Sequence, residues 1–283
     1  DRQIDIIGFH GQTIYHNSQE KISNQLGDGK LLSQLTKKNI IFNFRQNDIK
    51  NGGEGAPLTP LFHQLIATKY KIDLPTCILN IGGISNVTII KEPTGTYGLT
   101  SRDIGPGNCL IDSWVRKNSK HKFDNDGLIA SAGKRNDIIF EQAQELFANR
   151  SSQNTLSFDI NDFDVSFARG LSLEDGAATL TDFTAKIISS ALFSILSNIS
   201  TKTWKVIVCG GGRKNNFLIE KIKKNIFKNI IIQLIDDYGV DGDFVESQAF
   251  AFLAIRSLLK LPISFPETTG CSRPSTGGEL IKN

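Results

Sequence analysis

The chain has 283 residues, of which 39% are apolar and 22% charged, so it can bury a hydrophobic core and favours two domains over one. Its net charge is only +3, and its lysine cluster carries no aromatic or glycine pattern, which argues against a nucleic-acid partner. No apolar run approaches the roughly 20 residues that span a bilayer, so we expect a cytoplasmic protein without a membrane partner. The four cysteines are scattered without a CxxC pair, and we predict neither a zinc site nor a disulfide framework.

Two short apolar runs near the start of the chain each end in polar residues. Residues 4–10 and 40–44 have the pattern of strands that deliver polar side chains at their C-terminal ends. Ligands of open α/β sheets collect beyond the carboxyl ends of the strands. A polyhydroxylated ligand or its carboxylate could hydrogen-bond to these side chains, although each taken separately is more often a structural turn residue. The candidates are His10, Gln12, Arg45 and Asp48.

A glycine-rich loop at 52–58 follows, and then helical spacing at 60–70. The pattern changes after this helix, because two apolar runs around Gly82-Gly83 predict a hairpin of buried strands. We place a domain boundary just before this hairpin, near Pro75.

A further strand around residues 97–101 leads into Asp103-Ile-Gly-Pro-Gly, and apolar residues at helical spacing follow from about Asn108. A carboxylate at such a junction is placed to act as general base on a hydroxyl or a water. The alternative, that Asp103 caps the following helix, stays open.

Residues 118–172 are polar and weakly periodic, apart from a predicted helix at 137–147. Residues 179–198 carry the i, i+3, i+4 spacing of a long amphipathic helix, with Thr179 and Asp182 fitting its start.

The last part of the chain alternates between strands and helices. Glu246 stands three residues after Asp243, in the spacing of a capping box, and alone it would serve the helix dipole. The predicted strands are 205–209 and 230–235, and the predicted helices are 217–226 and 244–260.

Three glycine turns follow predicted strands, at Gly82-Gly83, Gly105-Pro-Gly107 and Gly210-Gly211-Gly212. Glycine lets backbone N–H groups approach phosphate oxygens, and a following helix adds its dipole. Each turn taken alone could equally be a simple tight turn. The spacing of a P-loop and that of a dinucleotide-binding fingerprint are both absent from the sequence.

These segments, in this order, resemble the anhydro-N-acetylmuramic acid kinase family along nearly the whole chain. Each stretch is weak alone, whereas the ordered set is specific. The matching stretches are Gly8-Phe-His-Gly-Gln-Thr13, Phe44-Arg-Gln-Asn-Asp-Ile49, Gly52-Gly-Glu-Gly-Ala-Pro-Leu58, Leu79-Asn-Ile-Gly-Gly-Ile-Ser-Asn86, Asp103-Ile-Gly-Pro-Gly-Asn108, Ala178-Thr-Leu-Thr181 and Val208-Cys-Gly-Gly-Gly212 with Asn215.

The resemblance implies an α/β protein with the two-lobed actin-like ATPase (ribonuclease H-like) fold. Residues 1–75, completed by 246–283, would form the first lobe on the sugar side, and 76–245 the second lobe on the ATP side. The Gly-Thr-Ser-x-Asp-Gly hairpin that opens the family is missing from this sequence, so the first lobe is expected to be N-terminally incomplete. We therefore expect this chain alone to phosphorylate poorly or not at all.

The resemblance also implies the reaction, in which ATP and Mg²⁺ bind between the lobes and water opens the 1,6-anhydro bond of the sugar while O6 is phosphorylated. Asp103 would activate that water, and Glu246 would line the cleft. Two rivals stay open: a non-catalytic ATP-binding relative, and a kinase for another sugar. A homodimer is a further prediction. The residues implied to contact ATP are Gly82, Gly83, Gly210, Gly211, Gly212 and Asn215, and those implied to face the sugar are His10, Gln12, Arg45 and Asp48.

Overall fold

The computed structural model describes residues 4–151, 158, 160–197 and 203–283. The strands in chain order are β1 (Ile6–Gly8), β2 (Gln12–Asn17), β3 (Ile22–Leu26), β4 (Asn39–Phe42), β5 (Thr76–Ile81), β6 (Ile84–Ile90), β7 (Leu99–Pro106), β8 (Trp204–Cys209), β9 (Ile230–Leu234) and β10 (Glu279–Ile281). The α-helices are α1 (Gly29–Thr36), α2 (Gln46–Lys50), α3 (Pro60–Lys69), α4 (Cys109–Asn118), α5 (Leu128–Ala132), α6 (Asp137–Ser151), α7 (Leu173–Leu196), α8 (Asn216–Asn225), α9 (Val245–Leu258) and α10 (Pro266–Thr269). The predicted α/β class is confirmed.

The chain divides into two compact units. Unit 1 comprises Asp1–Pro75, Thr88–Arg102 and Phe244–Asn283, and unit 2 comprises Thr76–Val87 and Asp103–Asp243. Compared with the predicted ranges, unit 1 takes in Thr88–Arg102 in addition, and it begins its last segment at Phe244.

Unit 1 contains a three-stranded sheet of order β1-β4-β10, in which β4 runs parallel to β1 and antiparallel to β10. Helix α9 packs closely on β1, since a Cβ at Gly8 would lie only 2.4 Å from the carbonyl oxygen of Phe250. The core that holds these elements together is apolar and buried. Its members are Ile41, Phe44, Leu58, Phe250, Leu253, Ala254 and Ile263.

A five-stranded sheet has the order β7-β6-β5-β8-β9. β5 and β9 both pair parallel with β8, whereas the two-residue turn Gly82-Gly83 sends β6 back antiparallel to β5. The central strands β5 and β8 are buried almost throughout, as expected for a sheet covered on both faces. One reversed strand beside the central one gives the ribonuclease H-like arrangement that the family resemblance implied.

Helix α7 begins at Leu173, six residues before the predicted start at Thr179. Ser172 caps the helix by accepting a hydrogen bond from the amide of Asp175 at 3.0 Å. The first turn, in which Leu173 is the single large apolar residue, packs against Trp114, whose ring would lie 2.2 Å from a Cβ at Gly176. By length and hydropathy α7 could cross a membrane, but 67% of its most apolar stretch is buried inside the protein, which marks a core helix.

Three features differ from the sequence-based expectations. The hairpin of β2 and β3 and the helix α1 were not predicted, although Asp28 caps α1 through hydrogen bonds from the amides of Lys30 and Leu31. The prediction that Asp243 and Glu246 form a capping box at the start of α9 is wrong. The N-cap residue there is Phe244, without a side-chain hydrogen bond, and the carboxylate of Asp243 binds Arg213 instead.

Candidate active site

The predicted glycine turns come together at the carboxyl edge of the five-stranded sheet. Two amides after β7 donate to the turn between β5 and β6: the N–H of Gly107 to the carbonyl of Gly83 at 2.9 Å, and the N–H of Asn108 to the carbonyl of Gly82 at 2.8 Å. The third turn, Gly210 to Gly212, leaves the end of the neighbouring strand β8. We call the residues Gly82, Gly83, Gly105, Gly107, Gly210, Gly211 and Gly212 the glycine cluster.

Two members of the third turn are glycine because of their packing. Gly210 has φ +80°, and a Cβ there would lie 2.4 Å from Oδ1 of Asn80. A Cβ at Gly212 would lie 2.2 Å from the side chain of Ile81. These glycines let the turn after β8 sit directly on the end of β5.

Other members of the cluster leave room beside the backbone. Gly211 is exposed, and a Cβ there would meet nothing closer than Nδ2 of Asn108 at 3.9 Å. A Cβ at Gly82 would meet its nearest neighbour, the carbonyl oxygen of Ile84, at 3.4 Å. Backbone with this much open space, at the carboxyl ends of parallel strands, suits the close approach of a nucleotide.

Arg213 braces this turn, and sequence reasoning missed it. Its side chain is only 4% exposed. Nε donates to Asp236 at 2.7 Å, and Nη1 donates to Asp243 at 2.9 Å and to the carbonyl of Gly210 at 3.2 Å. The hydrogen bond from Arg213 lowers the pKa of Asp236, and hydrogen bonds from Lys214 and Arg213 lower the pKa of Asp243. The only signal in the sequence was an arginine directly after three glycines.

Asn215 lies just beyond the turn and is buried. Its Oδ1 accepts a hydrogen bond from the amide of Leu218 at 2.9 Å, so the side chain caps the start of α8. This placement supports an indirect role, in which Asn215 fixes the position of α8 relative to the glycine cluster.

Asp103 lies within β7 and not at a strand-to-helix junction. Its Oδ2 accepts a hydrogen bond from the amide of Phe158 at 2.8 Å. Helix α4 begins at Cys109 with Asn108 as its N-cap residue, so the alternative that Asp103 caps this helix is wrong. The carboxylate is half-buried and lies close in sequence to the glycine cluster.

In unit 1, His10 and Arg45 are brought together from the ends of β1 and β4. Nε of Arg45 lies 3.0 Å from Nε2 of His10, and Nη1 of Arg45 lies 3.4 Å from the carbonyl oxygen of Gly55. The imidazole stacks on Phe250 with ring centroids 4.2 Å apart. Burial, and to a lesser extent the charge of Arg45, lowers the pKa of His10 from 6.5 to about 4.

Asp48 is 1% exposed and holds the glycine-rich loop in place. Its Oδ2 accepts from the amide of Gly55 at 2.7 Å, and its Oδ1 accepts from Oγ1 of Thr269 at 2.7 Å. A Cβ at Gly53 would collide with the same carboxylate at 2.2 Å. The geometry therefore supports a loop-positioning role for Asp48, and direct contact with a sugar stays a prediction.

The remaining predicted residues are on the surface. Gln12 is exposed at the start of β2, and Glu246 is exposed in the first turn of α9. A polar cavity of about 370 Å³ lies beside His10. Its other lining residues are Phe9, Ser23, Asn24, Gln25, Leu26, Gly27, Phe42, Asn43, Gln46 and Lys50.

Among the residues that the structure describes, no three His, Cys, Asp or Glu side chains form a group that could hold a metal ion. In many proteins a divalent cation takes ligands from waters and from a bound nucleotide as well as from the protein. Mg²⁺ in phosphoryl-transfer sites is commonly bound in this way, through one or two carboxylates, phosphate oxygens and waters.

Comparison with known sequences agrees with the family resemblance of the sequence motifs. The sequence model of the family described as "Anhydro-N-acetylmuramic acid kinase" matches residues 1–283. The protein of that name from Pelagibacter ubique (strain HTCC1062) is 56% identical over 280 residues, which cover 99% of this chain and 74% of that protein. Those from Zymomonas mobilis subsp. mobilis (strain ATCC 31821 / ZM4 / CP4) and Brucella suis (strain ATCC 23445 / NCTC 10510) are 38% and 37% identical, again over 99% of this chain and 74% of each relative.

Comparison with solved structures matches the "Activator of the 2-Hydroxyisocaproyl-CoA Dehydratase from Clostridium difficile with bound ADPNP". The alignment covers 70% of this chain and 69% of that chain, with a TM-score of 0.37 and 16% sequence identity. A likeness this weak carries no argument about the site.

Proposed function

Since this chain belongs to the anhydro-N-acetylmuramic acid kinase family, we propose that it uses ATP to convert 1,6-anhydro-N-acetylmuramic acid into N-acetylmuramic acid 6-phosphate. The observation that carries the proposal is the placement of Asp103, a half-buried carboxylate in β7 just before a convergence of three glycine turns. A general base next to a phosphate-binding backbone is what this reaction requires.

Besides one proton transfer, the reaction forms two bonds and breaks two. The oxygen of water attacks the anomeric carbon C1 of the sugar, and the bond between C1 and O6 breaks. O6 then takes the γ-phosphoryl group of ATP, and the bond from the γ-phosphorus to the leaving ADP oxygen breaks. In this proposal Asp103 accepts the proton that the water loses.

The glycine cluster supplies the nucleotide side of the site. Gly82 and Gly211 have open space beside their backbone, so a phosphate or ribose can approach without meeting a Cβ. Arg213 keeps the turn after β8 rigid through its bonds to Asp236 and Asp243. Mg²⁺, bound together with ATP, would neutralise charge on the phosphate oxygens.

Unit 1 supplies the sugar side in this proposal. The substrate carries a carboxylate on its lactyl group, and a guanidinium matches a carboxylate well. Arg45 has this chemistry, and its half-buried position beside His10 reduces the competition from water. Gln12 and Glu246 are proposed as exposed contacts to the sugar or to the nucleotide.

The proposed reaction belongs to the recycling of cell-wall sugars and to amino sugar metabolism, and its use of ATP favours a cytoplasmic location. A homodimer, and the lack of a nucleic-acid or membrane partner, stay predictions.

The test compares the wild-type protein with Asp103→Asn, both carrying a restored N-terminal Gly-Thr-Ser-x-Asp-Gly hairpin, because the chain alone is expected to phosphorylate poorly. Phosphosugar is detected by mass spectrometry after incubation with ATP, Mg²⁺ and the anhydro sugar, and ATP binding is measured by titration. We expect turnover to fall about 10²- to 10⁴-fold, the usual range for a lost general base, with ATP affinity kept. Preferential turnover of unmodified N-acetylmuramic acid by the wild type would instead favour a different sugar kinase. ATP binding without turnover of either sugar would favour the non-catalytic relative.

A further inference from the structure

Asn86 carries a buried polar atom for which the fold supplies no partner. It lies in β6, and within the described part of the chain Oδ1 of Asn86 is buried without a hydrogen-bond donor. Its neighbours on the strand are satisfied: Oγ of Ser85 bonds the carbonyl of Pro106 at 3.2 Å, and Oγ1 of Thr88 lies 2.9 Å from Nδ1 of His63. A buried acceptor without a donor is costly to keep, and a catalytic role is one of the reasons for which proteins retain one.

The register of β6 and β7 places this side chain opposite Asp103. The amide of Lys91 donates to the carbonyl of Gly98 at 3.2 Å, and Oγ1 of Thr88 lies 3.2 Å from Oγ of Ser101. These contacts define an antiparallel ladder in which Thr88 faces Ser101.

Moving two residues along each strand from that pair brings Asn86 opposite Asp103. Side chains two residues apart point to the same face of a sheet, so both lie on the face that carries Thr88 and Ser101. Pairs with and without backbone hydrogen bonds alternate along an antiparallel ladder. The pair Lys91–Gly98 is hydrogen-bonded, so the pair Asn86–Asp103, five residues further along each strand, is a close pair without backbone hydrogen bonds. Opposite Cβ atoms in antiparallel strands are about 4.5–5.5 Å apart.

We propose that Asn86 orients the water that Asp103 deprotonates. One O–H of that water donates to Asp103 and is broken in the reaction, while the other donates to Oδ1 of Asn86. With both hydrogens directed in this way, a lone pair of the water oxygen points toward the anomeric carbon. This inference rests on the proposed function. It makes the attacking water the hydrogen-bond donor to Oδ1 of Asn86.

The inference is tested with Asn86→Leu and Asn86→Asp in the full-length protein. Leucine is close in size and removes the orphaned acceptor, so we expect kcat to fall about 10- to 100-fold, a part of the effect of losing the base itself. KM for ATP should stay within about twofold, and the thermal midpoint should be unchanged or higher, because Oδ1 of Asn86 accepts no hydrogen bond from the residues that the structure describes.

Asn86→Asp places a second carboxylate beside Asp103. Two carboxylates that share a site cannot both ionise easily, so the acid limb of the kcat–pH profile should move upward by about one pH unit or more. Val87→Ala is the matched control, since Val87 is buried on the opposite face of the same strand. It should lower the thermal midpoint and leave the pH profile in place.

Two results would overturn the inference. The first is a kcat within about twofold of wild type for Asn86→Leu. The second is a thermal midpoint of Asn86→Leu that falls as far as that of Val87→Ala, together with an unchanged kcat–pH profile in Asn86→Asp. The second result would identify a structural residue. A wild-type protein with the restored N-terminal hairpin that forms no phosphosugar would instead reject the proposed function, and this inference with it, before any variant is compared.

Discussion

The hydrogen bond from Nε of Arg45 to Nε2 of His10, at 3.0 Å, determines which nitrogen of the histidine carries the proton. A guanidinium can only donate, so Nε2 is the acceptor and the proton lies on Nδ1. Nδ1 in turn lies 2.8 Å from the carbonyl oxygen of Gly11, which accepts that proton's hydrogen bond. His10 is therefore a neutral residue that holds Arg45 in place, and it does not compete with the arginine for an anionic ligand.

Arg45→Lys should raise KM for the anhydro sugar about tenfold or more, because a charged hydrogen bond contributes about 1.5–3 kcal/mol and an ammonium cannot reproduce the fork of the guanidinium. KM for ATP should not change. Steady-state kinetics with each substrate varied in turn measures both constants. Lys50→Ala is the control, since Lys50 is a neighbouring cation that lines the same cavity as His10. An unchanged KM for the sugar in Arg45→Lys, or an equal rise of that KM in Lys50→Ala, would count against a specific contact of the Arg45 guanidinium.

The buried His63 should make the protein less stable in mild acid. It is 1% exposed, and burial lowers its pKa from 6.5 to about 4. Between these values the unfolded chain binds a proton that the folded chain does not, so stability is lost as the pH falls from about 6.5 to about 4. At pH 4 the free energy of unfolding is lower by about 3 kcal/mol for this reason. His10, whose pKa is lowered in the same direction, adds to the effect.

His63→Gln should flatten this dependence, measured as the free energy of unfolding in urea between pH 7 and pH 4. Glutamine keeps a polar partner for Oγ1 of Thr88, which lies 2.9 Å from Nδ1 of His63. His121→Gln, at an exposed histidine, is the matched control. An unchanged slope in His63→Gln would show that other groups cause the acid sensitivity.

The glycine cluster should separate into packing positions and ligand positions. Gly210→Ala should lower the free energy of unfolding by more than the roughly 1 kcal/mol that alanine costs at a positive φ. The reason is that the new Cβ would also meet Oδ1 of Asn80 at 2.4 Å. Gly239→Ala is the control, because Gly239 has φ +75° but no atom within 4 Å of a Cβ. Gly211→Ala should leave stability unchanged and weaken ATP binding. A Gly211→Ala protein with wild-type ATP affinity would remove this residue from the site.

Arg213→Leu should cost about 2 kcal/mol of stability and raise KM for ATP. The guanidinium is 4% exposed but its partners Asp236 and Asp243 are 42% and 44% exposed, so the cost falls below the roughly 3–5 kcal/mol of a fully buried pair. Arg135→Leu is the control, since Arg135 and Asp137 form an exposed pair that should contribute less than about 1 kcal/mol. Equal effects in chemical denaturation would contradict the bracing role of Arg213.

Much of this protein follows from local sequence patterns. The apolar runs of β5 and β8 predicted strands, and the spacing of α3, α8 and α9 predicted helices. The turns at Gly82-Gly83 and Gly210-Gly211-Gly212 were located correctly at strand ends, whereas Gly105 and Pro106 belong to β7. These features are local, since they depend on the period of apolar residues and on the backbone freedom of glycine. The ordered motifs identified the family, which the comparisons confirm.

Tertiary structure alone decided which polar residues are buried and which partners they have. Asp48 and Asn215 are loop and helix-cap residues because their partners come from Thr269, 221 positions away, and from the first turn of α8. Arg213 gains its role only when the loop that carries Asp236 and Asp243 folds against it. Asn86 and Asp103 lie opposite each other through the register of β6 and β7, which depends on how the two strands pair and on the turn that joins them. The period of apolar residues indicates which face of a helix or strand is buried, but it does not indicate which residues of other elements contact that helix or strand.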